Sequence, residues 1–104
     1  MVGMQKMLKQ AQQMQSKMMA IQEEIARMEV EGTAGGGMVK AIVSGKKDLI
    51  SISINPDVVD PEDVQMLEDL ILSAVRQAGE KADEAGAQKM SAVTGGMNIP
   101  GLGM

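Results

Sequence analysis

The side chains of this 104-residue chain with the clearest chemical opportunity are three lysines. Lys6, Lys9 and Lys17 are the only charged side chains before Glu23, although the formal net charge of the chain is -4. On a helix advancing 100° per residue, Lys6, Lys9 and Lys17 fall with Gln10 and Gln13 within about 50° of one direction. Ammonium groups in one strip can meet phosphates as point charges, and the two amides can add neutral hydrogen bonds to a nucleic-acid backbone or to base edges. Lys89, near the end of a later helix, is a weaker addition. A solvated helix face has the same composition, so the strip alone does not decide the matter. With no Phe, Tyr or Trp, stacking on single-stranded bases is disfavoured.

Other groups offer less. The twelve methionines could be read as a soft metal site, but those of the first helix follow heptad spacing and there is no His or Cys to complete a ligand set. Gly32 and Gly35 to Gly37 invite a phosphate-loop reading, yet Met38 and Val39 stand where Lys and Ser or Thr would be needed, which leaves a permissive turn. Asp57, Asp60, Glu62 and Asp63 lack the glycine and terminal glutamate of a calcium loop and suit helix capping. No base and nucleophile pair presents itself, so no catalytic residue, metal site, cofactor or small-molecule substrate is expected, and the chain reads as non-enzymatic.

The element that must carry the lysines is one long helix over the first 28 residues. Met4, Met7, Ala11, Met14, Met18, Ile21, Ile25 and Met28 keep a 3-4-3-4 spacing without a slip, a seam that wants a packing partner, and the lysine strip flanks it. Such a helix is about 40 Å long, whereas a compact domain of about 100 residues is only about 30 Å across. The helix should overhang its own domain.

The rest is one domain with a modest core of Met, Ile, Val, Leu and Ala. Absent cysteine fits a reducing compartment, and nothing resembles a signal peptide or membrane span, so a cytoplasmic protein is expected. Charge is segregated: residues 1–22 carry +3, whereas residues 57–84 carry nine acids against two bases. Met38 to Ser44 and Leu49 to Ile54 read as a hairpin turned at Gly45 to Asp48, with a third short strand around Val30 to Ala34. Asn55-Pro56 ends the last strand. Asp60 followed by Pro61 reads as the start of a second helix running to about Lys89, its stripe fading from Leu67 and Ile71 to Ala74, Ala78, Ala82 and Ala85. From Thr94 the composition is that of a flexible tail, so residues 1–93 form the domain and 94–104 a Gly/Met-rich extension.

The order α-β-β-β-α predicts an α+β fold with a small antiparallel sheet backed by helices. The strands read as apolar on both faces, leaving a monomer with an exposed hydrophobic face or edge. A homodimer joined through the sheet removes it, with Val39, Ala41, Val43, Ile50, Ile52 and Ile54 as candidate contacts.

Lys9-Gln10-Ala11-Gln12-Gln13-Met14-Gln15, Glu29-Val30-Glu31-Gly32 with its glycine-rich continuation, Ile54-Asn55-Pro56, Met66-Leu67-Glu68-Asp69-Leu70-Ile71, Lys81-Ala82 and Thr94-Gly95-Gly96-Met97 together resemble the YbaB/EbfC family of bacterial nucleoid-associated proteins. The match keeps order and spacing over nearly the whole chain. The resemblance implies a sheet-mediated homodimer whose helices project like tweezers and bind duplex DNA in the nucleoid. The leading expectation is therefore charge-driven duplex binding with limited sequence preference, affecting nucleoid organisation or gene expression. With only Arg27 and Arg76 in the chain, there is no paired-arginine readout of bases. The rival is a homodimeric adaptor that uses its Met-rich seam to hold a protein partner without nucleic acid.

Overall fold

The structure, a computed structural model, describes residues 2–94. Element order is α1 (Val2–Arg27), β1 (Glu29–Ala34), β2 (Val39–Ser44), β3 (Leu49–Ile54), one turn of 3-10 helix at Pro56–Val58, and α2 (Val64–Thr94). The expected α-β-β-β-α order is the observed one. The three strands form one antiparallel sheet in the order β1-β2-β3.

The sheet is organised by a row of small residues. Val39, Ala41 and Val43 of β2 and Ala74, Ala78 and Ala82 of α2 are each no more than 1% exposed and form the core, with Val30, Ala34, Leu67, Leu70, Ile71 and Val75 around it. Alanines at steps of four give α2 a shallow stripe, so helix and sheet approach closely. The approach is closest at Gly32, where a Cβ would collide with the Ala74 carbonyl oxygen and the Ala78 nitrogen. Gly32 therefore lies inside β1, within the short strand expected around Val30 to Ala34, and takes no part in the glycine turn. The turn is made by Gly35, Gly36 and Gly37, all at positive φ.

Register corrects the expectation of two apolar faces. Val30 pairs with Val43, Gly32 with Ala41, Ala41 with Ile52 and Val39 with Ile54, all on the α2 side, because directly opposed residues share a face. The reverse face carries Glu31, Thr33, Lys40, Ser51 and Ser53 around Ile42. Only one face is apolar. A bulge at the Ile42/Val43 step also makes Leu49, not Ile50, the partner of Val43, a slip that alternation in the sequence does not announce.

Two helix boundaries differ from expectation. Asp60 does not cap α2: its carboxylate accepts from the Glu62 nitrogen at 2.9 Å and its carbonyl from the Asp63 nitrogen at 2.9 Å, closing a separate turn. Asp63 is the cap, with Oδ1 accepting from the Met66 nitrogen at 3.2 Å. Two Asx residues three apart compete for one cap, and the one that borders the apolar stripe wins. At the other end α2 continues to Thr94, past the expected Lys89, because alanines sustain the helix. Thr94 is thus helical, and the rest of the expected tail, 95–104, lies outside the described residues.

Candidate nucleic-acid interface

Where α1 meets the domain is set by Gly45. A Cβ there would strike the Ile25 carbonyl oxygen and stand 2.7 Å from the Ile25 Cγ2, so only a bare backbone lets the last turn of α1 rest on the β2–β3 turn. That turn is itself pinned by buried Ser44, whose Oγ accepts from the Lys46 and Asp48 nitrogens at 3.2 and 3.1 Å. From this anchor α1 leaves the sheet alongside the late turns of α2, with Glu24 beside Lys89 and Ile25 over Gly86. One helix arrives at the sheet by its C-terminus and the other departs by its C-terminus, so the pair is antiparallel.

The seam accordingly divides in two. Met14, Met18, Ile21, Ile25 and Met28 are half-buried, whereas every residue from Gly3 to Gln13 is exposed, including Met4 at 68% and Met7 at 70%. If Glu24 is level with Lys89, Thr94 is level with about residue 19, so roughly 25 Å of α1 lies past Thr94 at 1.5 Å per residue, of which the wholly exposed stretch from Gly3 to Gln13 is about 16 Å. The overhang appears in the dimensions of the molecule, 75 × 27 × 16 Å with a radius of gyration of 20.1 Å, against about 13 Å for a compact chain of this size.

Lys6, Lys9, Gln10, Gln13 and Lys17 all lie exposed on α1, the first four on its bare half and Lys17 one turn beyond it toward the body. Among the described residues none of the three lysines pairs with a carboxylate; the ion pairs are Lys47–Asp83 at 3.2 Å and Lys89–Glu24 at 3.9 Å. Lys89 is thus separated from the other candidates. It faces the inter-helix seam, well away from the tip, and its charge is opposed by Glu24. The nine acids between residues 57 and 84 belong to the sheet-side segments and to the part of α2 over the sheet, so the basic arm and the acidic body occupy opposite ends of a long molecule.

The candidate dimer residues separate as well. Val39, Ala41 and Val43 lie under α2 and have no surface to offer. The reason is the single apolar face: the β2 residues that looked like a second hydrophobic surface are the ones α2 covers. Ile50, Ile52 and Ile54 are 51%, 37% and 36% exposed, because α2 lies across β1 and β2 and stops short of β3. Leu49, at 52%, joins them through the bulge and was missed by a strict alternation. The β1 edge is partly closed, since the Thr33 nitrogen donates to Gln77 Oε1 at 2.7 Å. Among the described residues no cluster of His, Cys, Asp or Glu is arranged to hold a metal, and no helix is long and apolar enough to cross a membrane.

Comparison with known proteins adds to this geometry. The sequence model of the YbaB/EbfC DNA-binding family matches residues 1–97. A nucleoid-associated protein of Thermoanaerobacter pseudethanolicus is 59% identical over 96 residues, covering 92% of this chain and 86% of that one. One from Clostridium perfringens is 57% identical over 100 residues, 96% of this chain and 89% of that one. One from Pelotomaculum thermopropionicum is 50% identical over 100 residues, covering 96% and 95%. A crystal structure of an uncharacterized protein from Helicobacter pylori superposes with a TM-score of 0.69 at 17% identity, over 83% of this chain and 90% of that one, and shows the same fold.

Proposed function

The chain belongs to the YbaB/EbfC DNA-binding family, and on that premise we propose that it grips duplex DNA as a homodimer through the bare N-terminal half of α1. Binding is driven mainly by charge, with limited sequence preference, and serves nucleoid organisation or gene expression in the bacterial cytoplasm. The protein acts without catalysis, cofactor or small-molecule substrate. The observation that carries this reading is the lysine-bearing half-helix: solvent-exposed, free of carboxylates, and held clear of an acidic body that would repel the same polyanion.

Dimerisation runs through β3. Its Leu-Ile-Ser-Ile-Ser-Ile sequence has no proline or charge, one edge pairs with β2, and its apolar side chains lie open beside α2. An uncovered strand of that kind templates further pairing. A second copy joined there would bury Leu49, Ile50, Ile52 and Ile54 and present two arms to one duplex.

The test is the triple variant Lys6→Glu, Lys9→Glu, Lys17→Glu. Duplex mobility shift at low salt should be abolished while the dimer persists in light scattering. Unchanged affinity with an intact dimer would remove these residues from the interface. The adaptor alternative predicts no duplex shift by the unaltered protein at any salt.

A further inference from the structure

α2 ends where the bare seam of α1 begins. By the pairing of Glu24 with Lys89, Thr94 is level with about residue 19, and because the helices are antiparallel the chain leaves α2 heading for the tip of the arm. Ahead of it Met4, Met7, Leu8, Ala11 and Met14 form a stripe about 120° wide, continuous with half-buried Met18, Ile21 and Ile25. On that stripe Met4, Met7 and Leu8 are 68%, 70% and 60% exposed. A shallow recess runs along it, with Met7, Ala11 and Met14 on one wall and Gln10, Gln13 and Lys17 on the other. Contiguous apolar surface of this kind on a helix marks a binding face.

We infer that the occupant is the chain's own segment 95–104, laid along the seam as an extended strap. Its sequence, Gly-Gly-Met-Asn-Ile-Pro-Gly-Leu-Gly-Met, carries four large apolar side chains besides proline and no charged one. Gly95-Gly96 lets the chain turn off the helix axis, and Pro100 disfavours continuing it as a helix. Reach is sufficient: ten extended residues span about 33 Å, whereas Met4 lies about 22 Å beyond the level of Thr94. At about 3.4 Å per residue, Met97 arrives near Met14, Ile99 near Met7 and Leu102 near Met4. Gln10 and Gln13 offer amide partners to an extended backbone. A second copy's arm fits less well, because it would set three more lysines beside Lys6, Lys9 and Lys17. Attachment at Thr94 also gives the strap an effective concentration on the order of millimolar. Lys6 and Lys9 lie about 100° and 160° round the helix from Met7, so the strap leaves them open.

The chain has no cysteine, so a pair can be introduced without interference. In the full chain, Met7→Cys with Ile99→Cys should close an intramolecular disulfide about tenfold faster than Gln5→Cys with Ile99→Cys. Gln5 is the control because it lies about 3 Å from the level of Met7 but about 160° round the helix. Equal rates overturn the inference. Disulfide-linked dimers in place of the internal bond also overturn it and assign the seam to a second copy. In the cysteine-free chain, Met97→Ser with Ile99→Ser and Leu102→Ser should speed peroxide oxidation of Met7, read by mass spectrometry, about threefold. An unchanged oxidation rate overturns the strap. No DNA enters either measurement, so failure here is separate from failure of the DNA-binding reading.

Discussion

Gly32 of β1 lies against Ala78 of α2 with no room for a side chain between them: a Cβ on Gly32 would stand 2.9 Å from the Ala78 Cα and nearer still to its nitrogen. Backbone faces backbone here, so neither neighbour can rotate away. Gly32→Ala should destabilise the protein by about 3 kcal/mol, at or above the upper end for an added methylene in a packed core. Urea unfolding followed by far-UV circular dichroism measures it, and a loss under about 0.5 kcal/mol would contradict the contact.

Gly45 has the same role for the arm. Gly45→Ala pushes on the Ile25 carbonyl and should cost about 1–3 kcal/mol. Amide exchange in residues 21–27 should rise before exchange in the sheet does. Duplex affinity should fall although every lysine is in place, since the arm is no longer held at a fixed angle.

Phosphate contacts should be legible in the salt dependence. In the proposed dimer two arms would bring six lysines, whose full engagement gives a log–log slope of about -5, and partial engagement about -2 to -4. Lys6→Ala, Lys9→Ala or Lys17→Ala should each flatten the slope by about 1. A slope near zero in the unaltered protein would end the charge-driven account.

Lys89 should behave differently. It lies 3.9 Å from Glu24, and the two side chains are 39% and 54% exposed, so this is a surface pair worth under about 1 kcal/mol. Lys89→Ala should leave duplex affinity within about twofold, whereas Lys6→Ala or Lys9→Ala lowers it measurably at the same salt. Equal effects of all three would place Lys89 in the interface.

Ile52→Asp puts a carboxylate into the open β3 surface and should yield monomers in size-exclusion chromatography with light scattering, with weakened duplex binding as the second arm is lost. Lys40→Asp, on the reverse face, should leave the dimer intact. Monomers from both, or from neither, would move the interface away from β3.

How much of this was readable in advance depends on the length scale of the cause. The α1 helix, its lysine strip and its overhang follow from periodicity and from 1.5 Å per residue, and all stand in the structure. The hairpin of β2 and β3 follows from β-branched alternation, and β1 takes the place of the third short strand expected around Val30 to Ala34. The α2 start did not, because Asp60 and Asp63 are both competent caps and the choice is made by which one borders packed residues. The packing of Gly32 against α2 did not either, since a glycine at a strand edge and a glycine under a helix look alike in a string of letters.

The sequence by itself determined the elements, the placement of charge and the arm's reach, because these depend on neighbours three or four residues apart. Tertiary structure decided which half of the methionine seam is bare, that Val39, Ala41 and Val43 are interior while Ile50, Ile52 and Ile54 are not, and that Lys89 faces Glu24. Those outcomes turn on where α2 lies across the sheet. Its position is set by close contact between small residues more than forty positions apart, Gly32 against Ala74 and Ala78, which no local pattern encodes.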